Sequence, residues 1–351
     1  MKPSLSDIAE KAQVSKATVS RALSNSNLVS QETRNSILNI AESMGYVPDA
    51  ALSVSASNLI RSKREPVERA RKNVVNVVYY QRTRSDVRAV EYYNHIMEQI
   101  ERVLTEEGVS IIESYPQTPE EYFRILDATN ADGTLILSSI QSIGPEFLPR
   151  LRLAAMKNPL ILISNYIQGH DHEFNSVRAD NVSMGQFATE YLIGKGAKRV
   201  LFFDPSHNMA ILEDRYMGYR RAMEEAGLVP ERIAYDNTSA QAGVSNGLPE
   251  GFTLPEGVLG LLLGGDSLAK PLSKAIAGEL SRRRDIYMTG IDGIPPLSDE
   301  DGRIATIGMD FKAMARATWR LLSDCIDGSV STPQKTLVGY SLIEKRDELC
   351  Q

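Results

Sequence analysis

Residues 14–23 read VSKATVSRAL: two cations, four hydroxyls once the flanking Ser24 is counted, and little apolar bulk. The neighbouring sequence says what so wettable a segment is for. In PSLSDIAEKAQ, residues 3–13, Ser4 and Asp7 stand three apart as in a capping box, and Leu5, Ile8, Ala9 and Ala12 follow the i, i+3, i+4, i+7 spacing of one helix. Ser15 is placed to cap a second helix from about Lys16 to Leu23, whose core-facing candidates are Val19, Ala22 and Leu23. Ser30 opens a third, SQETRNSILNIAESMG, with Ile37, Ala41 and Met44 on one side and Gly45 as an αL stop. Three short helices therefore fit within the first 45 residues, and a turn at Gln13-Val14 joins the first two.

Two helices joined by so short a turn describe a helix-turn-helix, whose second helix enters the DNA major groove and offers its N-terminal residues to base edges. A cation there donates to guanine O6 and N7, a small apolar side chain meets a thymine methyl, and hydroxyls bond phosphates. Lys16, Ala17 and Arg21 are the candidate base readers, with Ser15, Thr18 and Ser20 beside them on the phosphate side. A solvated face on an ordinary helical bundle is the competing reading, and these ten residues alone do not separate the two.

The rest of the chain narrows the class. Its 351 residues are enough for two or three domains, and 42% hydrophobic content suits a globular protein with sizeable cores. No apolar run reaches membrane-spanning length and no secretory core opens the chain, so a cytoplasmic location without membrane contact is expected. Cys325 and Cys350 lack ligand-like spacing, so neither a disulfide framework nor a metal is indicated, and no cofactor motif occurs. The net charge of −6 is unevenly placed: residues 1–73 hold 11 Lys/Arg against 7 Asp/Glu, and residues 74–351 hold 28 against 38. The basic end is the expected DNA end, because an acidic body repels phosphate.

From Val74 onward short apolar runs (VVNVVYY, VSIIESY, GTLILSS, PLILIS, RVLFFD, VLGLLLGG, IYMTGID) alternate with amphipathic stretches. That repetition predicts parallel sheets covered by helices on both faces, and the length calls for two lobes rather than one. Ligands of such folds bind beyond the carboxyl ends of the strands, in a cleft that closes on them. The expected organisation is a headpiece over 1–50, a hinge and basic linker over 51–73, and a two-lobed α/β body over 74–351.

The motifs D-I-A, V-S-x-x-T-V-S-R, V-S-x-x-T-R and G-Y-x-P within residues 5–48 resemble the headpiece of the lactose-repressor and galactose-repressor (LacI/GalR) family of bacterial transcription regulators. Gln13 departs from the Gly usual in that family's turn, a position of positive φ where a non-Gly residue is uncommon. The resemblance implies a short hinge helix after Pro48 from which a Leu wedges into the minor groove. Here Ser55 occupies the usual Leu position; Val54 is the candidate substitute, with Leu52 and Leu59 as alternatives. The linker is longer than the family norm, and its RSKREPVERARK, 61–72, is either a solvated spacer or a source of phosphate contacts.

In the body, A-D-G-T-L-I-L (131–137), D-N-x-x-x-G-x-x-A-x-x-x-L (180–192), R-x-x-G-Y-x-x-A-M (215–223) and G-I-D-x-I-P (290–295) resemble the family's periplasmic-binding-protein-like effector domain. The resemblance implies that Arg215 and Asp292 contact sugar hydroxyls, and that Phe311, Tyr92 and Tyr93 line the ligand, although core packing explains such aromatics equally well. Ser164 and Asp266 stand at further effector positions. Ser164 replaces a usual Asp, Gly265 replaces the Asn before Asp266, and Met309 replaces a residue that is often polar. VVYYQ followed by VEYYNHIMEQIE is similar to galactoside-responsive members, so a carbohydrate, with a galactoside as one possibility, is the implied effector. A homodimer follows from the need for two half-sites, and no heptad segment for a tetramer follows LIEKRDELC.

Two rivals compete with this picture. GDSLA, 265–269, imitates a hydrolase nucleophile elbow, but all four histidines (His95, His170, His172, His207) precede Ser267, whereas that fold supplies its His afterwards. A helix start capped by Asp266 or Ser267 explains the run better. A sugar-binding transport protein would share the body but not the attached helix-turn-helix.

Overall fold

The computed structural model describes residues 3–23, 28–44, 46, 73–128, 130–137, 147–205, 209–236, 239, 245–294, 303–330 and 332–344. Gly45, the hinge candidates Leu52, Val54, Ser55 and Leu59, the 61–72 segment, His207 and Cys350 lie outside the described residues.

Three helices form the headpiece: α1 (Leu5–Lys11), α2 (Lys16–Leu23) and α3 (Gln31–Ser43). The reciprocal cap is formed, with Ser4 N donating to Asp7 Oδ2 at 2.7 Å and Asp7 N donating to Ser4 Oγ at 3.4 Å. Ser15 and Ser30 start the other two helices, each Oγ accepting from the backbone N three residues on, at 3.0 and 3.2 Å. Gln13 takes φ 53°, so the left-handed turn is made without glycine, and Val14 N closes it onto Ala9 O at 3.0 Å. Ile8, Val19, Leu23, Ile37, Leu38 and Ala41 fill the core between the helices.

The chain divides into two compact units, Met1–Val177 with Ala315–Thr336, and Arg178–Met314 with Leu337–Gln351. The first, besides the headpiece, contains β1 (Val74–Val78), α4 (Arg84–Ala89), α5 (Glu91–Glu106), β2 (Ser110–Ser114), α6 (Pro119–Ala128), β3 (Gly133–Ile136), α7 (Phe147–Lys157) and β4 (Leu160–Ile163). β5 (Asn175–Ala179) then leads into the second unit, which contains α8 (Asn181–Gly194), β6 (Arg199–Asp204), α9 (Ala210–Glu225), β7 (Glu231–Ala234), β8 (Leu259–Leu263), α10 (Ala269–Ala275), α11 (Ala277–Arg282), β9 (Ile286–Asp292) and β10 (Ile304–Met309). α12 (Phe311–Ile326), β11 (Lys335–Val338) and β12 (Tyr340–Ile343) complete the chain.

Two six-stranded sheets result, in the orders β11-β5-β4-β3-β1-β2 and β12-β10-β9-β8-β6-β7. Inner strands such as Leu160–Ile163 and Leu259–Leu263 are buried along their whole length, as continuous apolar runs predict for strands covered on both faces. The sheets are mostly parallel, as expected; β12 runs antiparallel to β10, Met309 facing Tyr340, and forms the edge of the second sheet.

Candidate functional site

On the headpiece, burying Val19, Ala22 and Leu23 turns the remainder of α2 outward. Ser15, Lys16, Ala17 and Arg21 are exposed, while Thr18 and Ser20 are half-buried. The Ser15 and Thr18 hydroxyls also lie 2.8 Å apart, so the cap holds both side chains at the first turn. The six predicted residues thus lie on α2 and the residue that caps it, and the exposed ones form a short, wettable face that carries the cations Lys16 and Arg21.

In the first unit, Tyr92 and Tyr93 lie in the first turn of α5, and Tyr92 OH donates to Ser164 Oγ. Ser164 follows β4 in the left-handed region at φ 55°, with its N donating to Val177 O at 2.8 Å. Tyr93 meets Tyr79 edge-on at 6.0 Å between ring centroids, and Tyr79 stacks on Tyr115 at 5.3 Å. Burial pushes the Tyr93 hydroxyl up, and burial together with Glu113 pushes Tyr115 up to about 12. Three predicted residues are thereby brought together. Tyr79 and Tyr115, which follow the carboxyl ends of β1 and β2, were not singled out from the sequence; their position one residue past a strand is the signal that was available.

In the second unit, α8 and α9 cross at two glycines. A Cβ on Gly185 would stand 2.1 Å from Arg215 O, and one on Gly218 would stand 1.9 Å from Val182 O. This explains why D-N-x-x-x-G and R-x-x-G carry Gly where they do: backbone contact at that crossing sets Arg215 beside Asn181. Arg215, 3% exposed, donates from Nε to Asn181 Oδ1 at 2.9 Å, from Nη1 to Gly264 O at 2.6 Å and from Nη2 to Asp292 Oδ1 at 2.7 Å. Asp292 ends β9 at φ 149°, and its Oδ2 accepts from Asp266 N at 3.3 Å.

Asp266 is 4% exposed, and its carboxylate accepts from Thr306 Oγ1 at 2.7 Å and Ile294 N at 2.8 Å. Thr306 Oγ1 in turn accepts from Gly293 N at 3.2 Å, so both groups clamp the loop that carries Asp292. The expectation that Asp266 or Ser267 caps the following helix is not met: the carboxylate is spent on this clamp, and the turn Asp266–Leu268 starts without a side-chain cap. Asn181 and Thr306 complete the network and were missed from sequence, Asn181 although it stands inside a quoted motif. Phe311, half-buried, opens α12 just beyond the carboxyl end of β10.

The electrostatics are those of two carboxylates around one guanidinium. Burial, and then the charge of Asp292, push Asp266 well above the usual carboxylate range against the hydrogen bonds from Thr306 and Ile294 and the charge of Arg215. A raised folded value means that stability is fully present below the unfolded value of about 4 and is lost as pH rises toward the folded one. Asp266→Asn should remove that penalty, so the difference in unfolding free energy between variant and wild type should move in the variant's favour as pH rises from about 4 to 7. Urea melts across that range check this, and a difference independent of pH would place the ionised form of Asp266 at ease in its pocket.

Chemically the constellation can pair with hydroxyl groups. A guanidinium has five N–H donors. Three of those of Arg215 are engaged inside the protein, leaving two, while the Asp292 side chain is 16% exposed and retains unused lone pairs. Two donors beside a carboxylate match a pair of adjacent hydroxyls. Among the described residues no group of three or more His, Cys, Asp or Glu could hold a metal ion, and no helix is long and apolar enough to cross a membrane.

Comparison with known proteins covers nearly the whole chain. Residues 4–49 match bacterial regulatory proteins of the lacI family, residues 73–242 match the periplasmic binding proteins and sugar binding domain of the LacI family, and residues 189–346 match a periplasmic binding protein-like domain. The HTH-type transcriptional regulator RegA of Clostridium saccharobutylicum is 25% identical, the match covering 99% of this chain and 100% of RegA. The HTH-type transcriptional repressor CytR of Escherichia coli K12 is also 25% identical, over 92% of this chain and 90% of CytR. Among solved structures, a transcriptional regulator CelR–cellobiose complex superimposes with a TM-score of 0.64 at 21% identity, covering 98% of this chain and 99% of that one. A lac repressor dimer bound to operator and the anti-inducer ONPF gives 0.57 at 18% identity, covering 99% of both chains.

Proposed function

The chain belongs to the lacI family of bacterial regulatory proteins, and from that premise we propose that it is a cytoplasmic homodimeric repressor that reads a pseudo-palindromic operator with α2 and releases or holds it according to a carbohydrate bound at Arg215 and Asp292. It is a DNA-binding transcriptional regulator, as are its relatives over nearly their full lengths. The observation that carries the DNA side is the exposed face of α2, small and cationic, held outward by the buried Val19, Ala22 and Leu23. A dimer supplies the two half-sites that one recognition helix cannot read alone. The Arg215–Asp292 pair supports a polyhydroxylated effector, and a sugar or sugar phosphate fits both it and the cellobiose held by the structurally similar regulator. We assign the chain no catalytic step, cofactor, metal or membrane anchor.

Arg21→Ala tests the DNA side. At fixed salt it should cost about 1 to 3 kcal/mol on the preferred operator and relax selectivity at one base position. Gel retardation against operator variants measures this, and an equal loss on every sequence would reduce Arg21 to a phosphate contact. Isothermal titration against a panel of sugars and sugar phosphates, with and without operator, identifies the effector and the sign of its action.

A further inference from the structure

A helix that covers a sheet ordinarily has one apolar stripe. On α7, FLPRLRLAAMK, that stripe is Phe147, Leu151 and Ala154, at i, i+4 and i+7, and it enters the core of the first unit with Tyr122, Phe123, Leu160 and Phe174. Leu153 and Met156 lie on the far side of the helix at i, i+3, where solvent would be expected. Leu153 is nevertheless 2% exposed, because it sits in the core of the headpiece with Ile37, Leu38, Ala41 and Tyr46, and Met156 packs against the same cluster. α3 makes the headpiece's main contact with α7.

We propose that the outer face of α7 is a seat for this chain's own headpiece, a second attachment that does not run through the linker. Three observations agree. The doubly apolar pattern of α7 leaves Leu153 and Met156 without purpose unless something covers them, and a buried Leu is a substantial apolar contribution. The seat takes α3, leaving Lys16, Ala17 and Arg21 of α2 exposed, so a seated headpiece still presents its reading face. The helix is also held in rotation between Leu151 and Leu153: Arg152 grips Glu173 through both carboxylate oxygens, Nη2 to Oε1 at 2.9 Å, and His170 Nδ1 lies 2.7 Å from the same Oε1. Burial would push Glu173 up, yet Arg152 and His170 together hold it below the usual carboxylate value. Glu173 belongs to the loop that begins at Ser164, so the seat is tied by one charged grip to the strand end where Tyr92 is bound.

Backbone amide relaxation of the full-length, DNA-free protein tests this, because it separates a headpiece that tumbles with the body from one that moves independently on the nanosecond scale. In the wild type the α1–α3 amides should relax at the rates of the body. In the double variant Leu153→Gln, Met156→Gln they should fall several-fold toward those of a small tethered domain, while resonances from β1 to β4 keep their positions. Independent headpiece motion in the wild type overturns the proposal whatever the variant does. Unchanged headpiece relaxation in a folded double variant also overturns it.

Discussion

Gly218→Ala should cost about 3 kcal/mol or more, at the upper end of what overpacking does, lowering the melting temperature of its unit by roughly 10 °C or preventing it from folding. The new Cβ would stand 1.9 Å from Val182 O and 2.7 Å from Gln186 N, both backbone atoms of α8 that no rotamer change can move. α8 and α9 must therefore separate, and with them Asn181 and Arg215. Gly185→Ala, 2.1 Å from Arg215 O, should behave alike. Gly194→Ala at the end of α8 is the control: nothing lies within 4 Å of its Cβ, so it should be neutral or slightly stabilising. Thermal or urea unfolding measures all three, and a Gly218→Ala protein as stable as the Gly194→Ala control would mean that the crossing is looser than described.

Asp292→Ala and Arg215→Ala should each leave operator affinity unchanged and remove the effector's influence on it. Hydrogen bonds to charged groups are worth about 1.5 to 3 kcal/mol each, so losing one partner of a two-point contact raises the effector concentration needed by on the order of 10- to 100-fold. Arg215→Ala additionally strands Asp292 beside the buried Asp266, so it should destabilise its unit more than Asp292→Ala does. Operator binding titrated with the sugar found active on the wild type reads both variants, and a wild-type response from either would remove that residue from the site.

The legible parts of the chain are those whose cause is local. Ser4, Ser15 and Ser30 announce helix starts because a cap is made within three residues, whereas the left-handed turn at Gln13 was implied only by the Gly that the family usually carries there. Arg215 and Asp292 were found through resemblance, and the structure joins them at 2.7 Å. Asn181 and Thr306 were missed because their roles depend on a helix crossing and on strand register, which bring residues 34 and 40 positions apart into contact. Leu153 and Met156 were not singled out, since periodicity reports that a face is apolar and not what covers it. The direction of β12 was not read because a short strand carries no mark of it.

The Arg215 guanidinium has a last consequence, for adaptability. Its plane is fixed from three sides by Asn181, the Gly264 carbonyl and Asp292 before any effector arrives, so the loss of rotamer freedom, which a long flexible side chain otherwise suffers on binding, is already complete in the folded chain. Under the proposed function, affinity for a hydroxyl pair is thus a property of the scaffold, and choice among sugars falls to other residues. Met309 and Phe311, in the same unit, make none of those three hydrogen bonds and can diverge without disturbing that anchor, so a change of effector would require no change in the framework that holds it.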